Sequence, residues 1–139
     1  MADPVGAAIA FFALGATLLS TALLLLFNPR SQSVRWYGVF NAGLMIWLLA
    51  QGLRLTTGEW VPWGLVHSAI VMLLPGLFLA AALIETERPA RLAIAVIGLN
   101  AMLVPLAAPW LLGRPPTTLS TGVLWVTQVA GWIGGSLVH

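Results

Sequence analysis

Five apolar runs, separated by short polar segments rich in proline and arginine, make up the chain. About twenty mostly apolar residues are what an α-helix needs to cross a hydrocarbon core of about 30 Å. The pattern therefore predicts an all-α, polytopic membrane bundle that forms one transmembrane domain over residues 1–139, with about five helices at 4–27, 36–55, 60–84, 91–112 and 118–138. The fifth run is the least uniformly apolar, so a re-entrant segment is an alternative to a full crossing there.

The third run, from Trp60 to Ile84, lies in the middle of this pattern and contains both His67 and Pro75. Proline has no backbone N–H, so Pro75 leaves the carbonyl of Val71 without its helical donor. We expect either a static bend that neighbouring helices repair or a hinge. We also expect the other helices to be arranged around this run.

Composition supports a membrane protein, since 60% of the residues are hydrophobic and 7% are charged. The six basic residues are all arginines and are spread over several loops, with a net charge of +2, which excludes a nucleic-acid-binding patch. The chain has no cysteine, which excludes disulfides and thiolate metal sites.

Arginine placement predicts the orientation, because short cytoplasmic loops carry an excess of basic residues. The first and third loops hold four arginines, and the second and fourth hold two: Arg30, Arg35, Arg88 and Arg91 against Arg54 and Arg114. We therefore expect an amino terminus outside and a carboxyl terminus in the cytoplasm.

Two further sets of residues have expected roles in the membrane. Aromatic rings at the ends of the runs are expected to anchor the helices at the lipid–water interface: Trp36, Tyr37, Trp60, Trp63 and Trp110. Small and polar residues within the runs are expected to hold helices together: Thr17, Thr21, Ala16 and Ser20 on the first helix, then Asn41, Pro75, Asn100, Gln128 and the GxxxG pair Gly131 and Gly135.

His67 is the main candidate for chemistry, at a depth similar to that of Gln51 and below Arg54. Three interpretations stay open: a structural hydrogen bond to Gln51 or to a backbone carbonyl, a small-ligand site near the outer leaflet, or an axial ligand to a chlorin or haem. Trp47 and Trp125 are candidates for contact with a flat ligand. No cofactor is required, although a bound lipid, quinone, (bacterio)chlorophyll or carotenoid would suit such residues.

Catalysis is not expected. Each of the four acids lies at the edge of an apolar run, and no catalytic triad, phosphate-binding loop or pair of intramembrane carboxylates can be assembled. With two histidines, one of them terminal, we expect no dedicated metal centre.

The segments NPRSQSVRWYGVFNAGLMIWLLAQGL and HSAIVMLLPGLFLAAALIETERPAR resemble the amino-terminal seven-helix membrane region of some bacterial histidine kinases. Residues 28–31 match that family's cytoplasmic turn, and Leu74 and Pro75 match its leucine–proline pair. The resemblance spans about residues 10–112 and implies an outside amino terminus and a sensory input role with an unknown ligand. The sequence departs from the family in having five predicted helices and no kinase or cyclase segment.

Because the sequence has no kinase or cyclase segment, we expect a non-catalytic accessory subunit rather than a sensor. Such a subunit packs against other integral membrane proteins and lipids in a larger bacterial inner-membrane complex, such as a photosynthetic or respiratory assembly. The alternative is a membrane-embedded sensory module that signals through a separate partner. A sensor is expected to enclose a cavity around Gln51, His67 and Pro75, whereas a subunit is expected to present helix faces to other proteins.

Overall fold

The computed structural model describes residues 1–107 and 118–138, and these residues form helices with no strand. The elements are α1 (Pro4–Phe27), α2 (Gln32–Thr57), α3 (Trp63–Glu85), α4 (Ala90–Leu103), a 3-10 helix (Val104–Ala107) and α5 (Thr118–Val138). Four of them, α1, α2, α3 and α5, are long and apolar enough to cross a membrane. The all-helical fold class expected from the sequence is the one observed.

Local capping decides where the first two helices begin. Asp3 precedes α1, and its carboxylate accepts a hydrogen bond from the Gly6 N–H at 2.9 Å, so α1 has the predicted bounds. The predicted start of α2 at residue 36 is wrong. The helix α2 begins at Gln32, because the Ser31 hydroxyl accepts a hydrogen bond from the Val34 N–H at 3.4 Å and so caps the first turn.

Prolines decide the bounds of the next two helices. Residues 60–62 form a turn, and α3 begins at Trp63 rather than at residue 60, with Pro62 as the residue before it. The α-helical part of α4 ends at Leu103 and continues as the 3-10 helix, which contains Pro105. The rest of the predicted fourth helix, residues 108–112 with Trp110, lies outside the described residues, as does Arg114. In contrast, α5 is one continuous helix over its predicted range.

The third helix is the centre of the bundle. It packs against α2, α4 and α5, whereas α1 packs mainly against α2. Accordingly, 44% of the residues in an apolar 18-residue window of α3 are buried, against 11% in the corresponding window of α1. The expectation that the chain is organised around the third run agrees with this packing.

Glycines on α5 allow its close approach to α3. A Cβ atom at Gly131 would overlap the Pro75 side chain and lie 2.6 Å from its backbone carbonyl carbon. At Gly135 a Cβ atom would lie 2.5 Å from the Phe78 ring. The GxxxG pair is therefore used within the chain, against α3.

The two ends of the bundle differ in charge. At one end the Tyr37 hydroxyl donates to the Glu85 carboxylate at 2.6 Å, which joins the start of α2 to the end of α3. Four arginines flank this end, at positions 30, 35, 88 and 91. At the other end the Asp3 N–H donates to the Leu55 carbonyl at 2.7 Å, and Arg54 lies nearby on α2.

The close approach at Gly131 predicts a specific sensitivity to added volume. Gly131→Ala is expected to destabilise the bundle by about 1–3 kcal/mol, because the new methyl group meets the ring and backbone of Pro75. Gly122→Ala on the same helix is the matched control, since a Cβ atom there has no neighbour within 4 Å. Unfolding followed by circular dichroism in detergent measures the difference, and equal stabilities of the two variants would contradict the prediction.

Candidate functional site

His67 lies near the start of α3 and stacks on Trp47 of α2, with ring centroids 5.5 Å apart and an angle of 32° between the ring planes. The His67 Nδ1 and Trp47 Nε1 atoms are both buried, and neither has a hydrogen-bond partner among residues 1–107 and 118–138. A buried polar atom without a partner costs about 1–3 kcal/mol. Two such atoms in one ring pair distinguish this place from the rest of the described bundle.

Gln51 does not pair with His67, contrary to one of the interpretations drawn from the sequence. Its side-chain oxygen accepts two hydrogen bonds from Arg54, from Nε at 3.2 Å and from Nη2 at 3.1 Å. Arg54 is three residues further along α2, so the two side chains meet on one helix face without any tertiary contact. His67 makes no hydrogen bond to a described residue, so the structural hydrogen bond expected for it is not formed there.

A cavity of about 260 Å³ adjoins His67. Its lining comes from the turn before α3, from α3 and from α5: Trp60, His67, Ser68, Val71, Met72 and Leu124. Gln51 and Pro75, which were expected beside His67 in a sensor cavity, do not line it. Sequence reasoning missed Ser68, Met72 and Leu124. The first two follow His67 on α3 by one and five positions, but nothing in the sequence placed Leu124 opposite them.

The geometry at His67 differs from that of a usual axial ligand. A metal-ligating histidine normally donates its second ring N–H to a carboxylate, a carbonyl or water. Nδ1 of His67 has no such partner in the part of the chain that the structure describes. The cavity is also smaller than the roughly 300–1,000 Å³ of pockets for drug-sized ligands, so its size suits a single ring better than a macrocycle.

A second polar arrangement surrounds Pro75. The Val71 carbonyl, which Pro75 leaves without a helical donor, accepts a hydrogen bond from the side-chain amide of Gln128 at 3.0 Å. The Gln128 side-chain oxygen in turn accepts from the Trp132 indole at 2.8 Å. Asn100 of α4 donates to the Leu73 carbonyl at 3.2 Å. Both α4 and α5 are thus bonded to the backbone of α3 just before its proline.

The remaining candidates lie apart from these two places. Asn41 donates to the Thr21 hydroxyl at 3.0 Å and joins α2 to α1. Trp125 is 66% exposed and does not line the His67 cavity, because it is one residue, or about 100° of helix rotation, away from Leu124. Trp132, further along α5, packs against Phe78 of α3, with the two ring centroids 5.1 Å apart.

Of the aromatic residues expected at the membrane interface, the four that the structure describes lie at the two ends of the bundle. Trp36 packs beside a buried cluster of Ala80, Ile84 and Ala93, and Tyr37 bonds to Glu85 at the same end. At the opposite end, the Trp60 ring lies 5.9 Å from the Arg54 guanidinium carbon, and Trp63 begins α3.

Comparison with known proteins gave no match to a family model, a curated protein or a solved structure. The resemblance to the membrane region of histidine kinases therefore stays an expectation from the sequence.

The bond between Gln128 and the Val71 carbonyl can be tested against Pro75 itself. Gln128→Leu is expected to destabilise the bundle by about 1 kcal/mol, because the carbonyl loses its donor. In a Pro75→Ala background the backbone N–H restored at position 75 can serve that carbonyl, so the same substitution should cost less. Unfolding in detergent of the single and double variants measures this coupling. Val129→Leu, at the exposed neighbouring position, is the control, and additive effects would disprove the assignment.

Proposed function

We propose that this chain is a non-catalytic integral-membrane subunit that packs against other proteins within a larger membrane complex. The observation that supports this function is on α1, where some small residues pack on α2 and others are exposed beside Phe12. Ala7, Ala10 and Thr21 are buried. Ala8, Gly15, Ala16 and Ser20 are exposed, and a Cβ atom at Gly15 would have no neighbour within 4 Å.

Exposed small residues on either side of a large ring, Phe12, suit a helix partner better than they suit lipid. In a bilayer, small residues let two backbones approach closely, and this contact drives helix association where the hydrophobic effect does not. The corresponding glycines on α5 are already occupied by α3. The exposed face of α1 is therefore the surface that we propose for the partner, which is an integral membrane protein. A photosynthetic or respiratory assembly of the bacterial inner membrane is the proposed host, since such assemblies carry small auxiliary subunits.

Five polar residues of the described bundle also support a non-catalytic role. Asn41, Asn100 and Gln128 make hydrogen bonds between helices. Asp3 caps α1, and Glu85 accepts a hydrogen bond from Tyr37 at the end of α3. Each of these groups thus has a structural role.

A sensory input module is the second candidate, and the His67 cavity is the observation that favours it. The cavity contains a histidine with no hydrogen-bond partner among the described residues and extends from α3 to α5. A ligand there would contact both helices and change their spacing. Such a module would pass this change to a separate signalling partner.

Adjacent phenylalanines on α1 provide a matched test of the subunit function. Phe12 is 80% exposed on the same face as Ala16, whereas the Phe11 ring lies against Gly52 of α2. With a photoreactive benzoyl-phenylalanine at position 12, illumination of native membranes is expected to link the chain to a second protein. The same probe at position 11 should react within the chain.

Mass spectrometry of the adducts identifies the partner, and an absorption spectrum of the co-purified complex shows whether the host is a pigment or haem assembly. Reaction of the position 12 probe with lipid alone would refute the subunit function.

We also propose that the arginine-rich end of the bundle is cytoplasmic and that the amino terminus is outside. The chain has no cysteine, so single cysteines can report the side of each loop. A membrane-impermeant maleimide should label Thr57→Cys in intact cells and Gln32→Cys only after permeabilisation, since these positions lie at opposite ends of α2. The cysteine-free chain is the control, and the reverse labelling pattern would invert the orientation.

A further inference from the structure

The side chains on α3 that border the His67 cavity leave hydrogen-bonding capacity unused. Most other described hydroxyls inside the long helices bond to a carbonyl of their own helix, for example Thr17 to Ala13 at 2.8 Å and Ser136 to Trp132 at 2.8 Å. The Ser68 hydroxyl and the His67 ring make no hydrogen bond to a described residue. Two adjacent unpaired groups at one cavity indicate a site that binds a polar atom.

The burial of Nδ1 assigns the tautomer of His67. A proton on Nδ1 would be a buried donor with no acceptor, and orphaned N–H groups are rarer in proteins than orphaned acceptors. A neutral His67 therefore carries its proton on Nε2, the ring nitrogen that is not among the buried unpaired atoms. Because His67 lines the cavity, a ligand there that accepts from Nε2–H would carry an acceptor such as a carbonyl oxygen.

The other walls select a flat apolar body for the ligand. Trp60 is held against α3 because Gly64 has no side chain, and a Cβ atom at Gly64 would lie 2.5 Å from a carbon of the Trp60 ring. Arg54 lies over that ring at 5.9 Å. Met72 is 2% exposed and provides a polarizable thioether to the same lining, where sulfur–ring contacts are favourable. The Trp60 ring, the apolar Met72 side chain and the His67 donor together suit a small ring that carries a carbonyl group.

We propose that this cavity binds the head group of a quinone, with a ring carbonyl accepting a hydrogen bond from His67 Nε2–H and with Ser68 as an adjacent polar contact. The inference is independent of the accessory-subunit function. Quinone binding is tested on the purified chain alone, whereas the subunit function is tested by cross-linking from position 12 in native membranes. Either proposal can therefore be refuted without affecting the other.

The test uses duroquinone, a tetramethylbenzoquinone, on the full chain in detergent. Quinones quench tryptophan fluorescence, and Trp47 and Trp60 lie at the site. Binding is expected to add a saturable component to the linear quenching caused by partition into micelles. Durene has the same ring and methyl groups but no carbonyl, so it should compete at least tenfold more weakly. Equal competition by durene would overturn the role of the carbonyl.

Two variants and one control locate the binding. His67→Phe keeps a ring beside Trp47 but removes the donor, and it is expected to weaken binding about tenfold. Ser68→Leu fills the cavity from the same helix and should abolish the saturable component. Trp125→Phe removes an exposed tryptophan outside the cavity and should leave binding unchanged. Circular dichroism checks that each variant is folded. Absence of saturation in the unmodified chain, or unchanged affinity in folded Ser68→Leu, would refute the site.

Discussion

The carbonyl of Val71, which lacks a donor in its own helix, determines how the last helix meets the rest of the bundle. Pro75 creates this free acceptor by its covalent structure, and Gln128 of α5 supplies the donor. This bond joins α5 to α3 at one depth and one rotation. Gly131, one turn further, then faces Pro75, where no side chain fits. The proline of α3 and the glycine on α5 are therefore two parts of one contact.

Polar groups in the apolar helices fall into two kinds. Asn41, Asn100 and Gln128 each donate to an atom of another helix, which compensates for the removal of these donors from water. The Asn100 side-chain oxygen, by contrast, is buried with no partner among the described residues. His67 and Ser68 have no such partner among the described residues and border a cavity. The first kind explains how a bundle with few charges holds its helices in register. The second kind marks the place where two adjacent side chains have no partner in the described part of the chain.

The sequence predicted features that depend on local chemistry. Apolar run lengths gave the helices, and the missing N–H of Pro75 identified the free carbonyl of Val71 before its donor was known. The donor itself is 57 residues away, and no local pattern singles out Gln128 over other amides. The lining of the cavity by Leu124 depends on the rotation of α5, which only the packing against α3 determines.

Hydrogen bonds between residues close in sequence explain two differences between the predicted and the observed structure. Gln51 was expected near His67, but Arg54 on the same helix reaches its oxygen without any tertiary contact. The apolar run predicts a start of α2 at Trp36, yet the Ser31 cap begins the helix earlier.

The contact between Val71 and Gln128 also bears on biosynthesis. While only α1 to α4 have been synthesised, the Val71 carbonyl has no donor from α5, so arrival of the last helix is the step that completes hydrogen bonding at this point of α3.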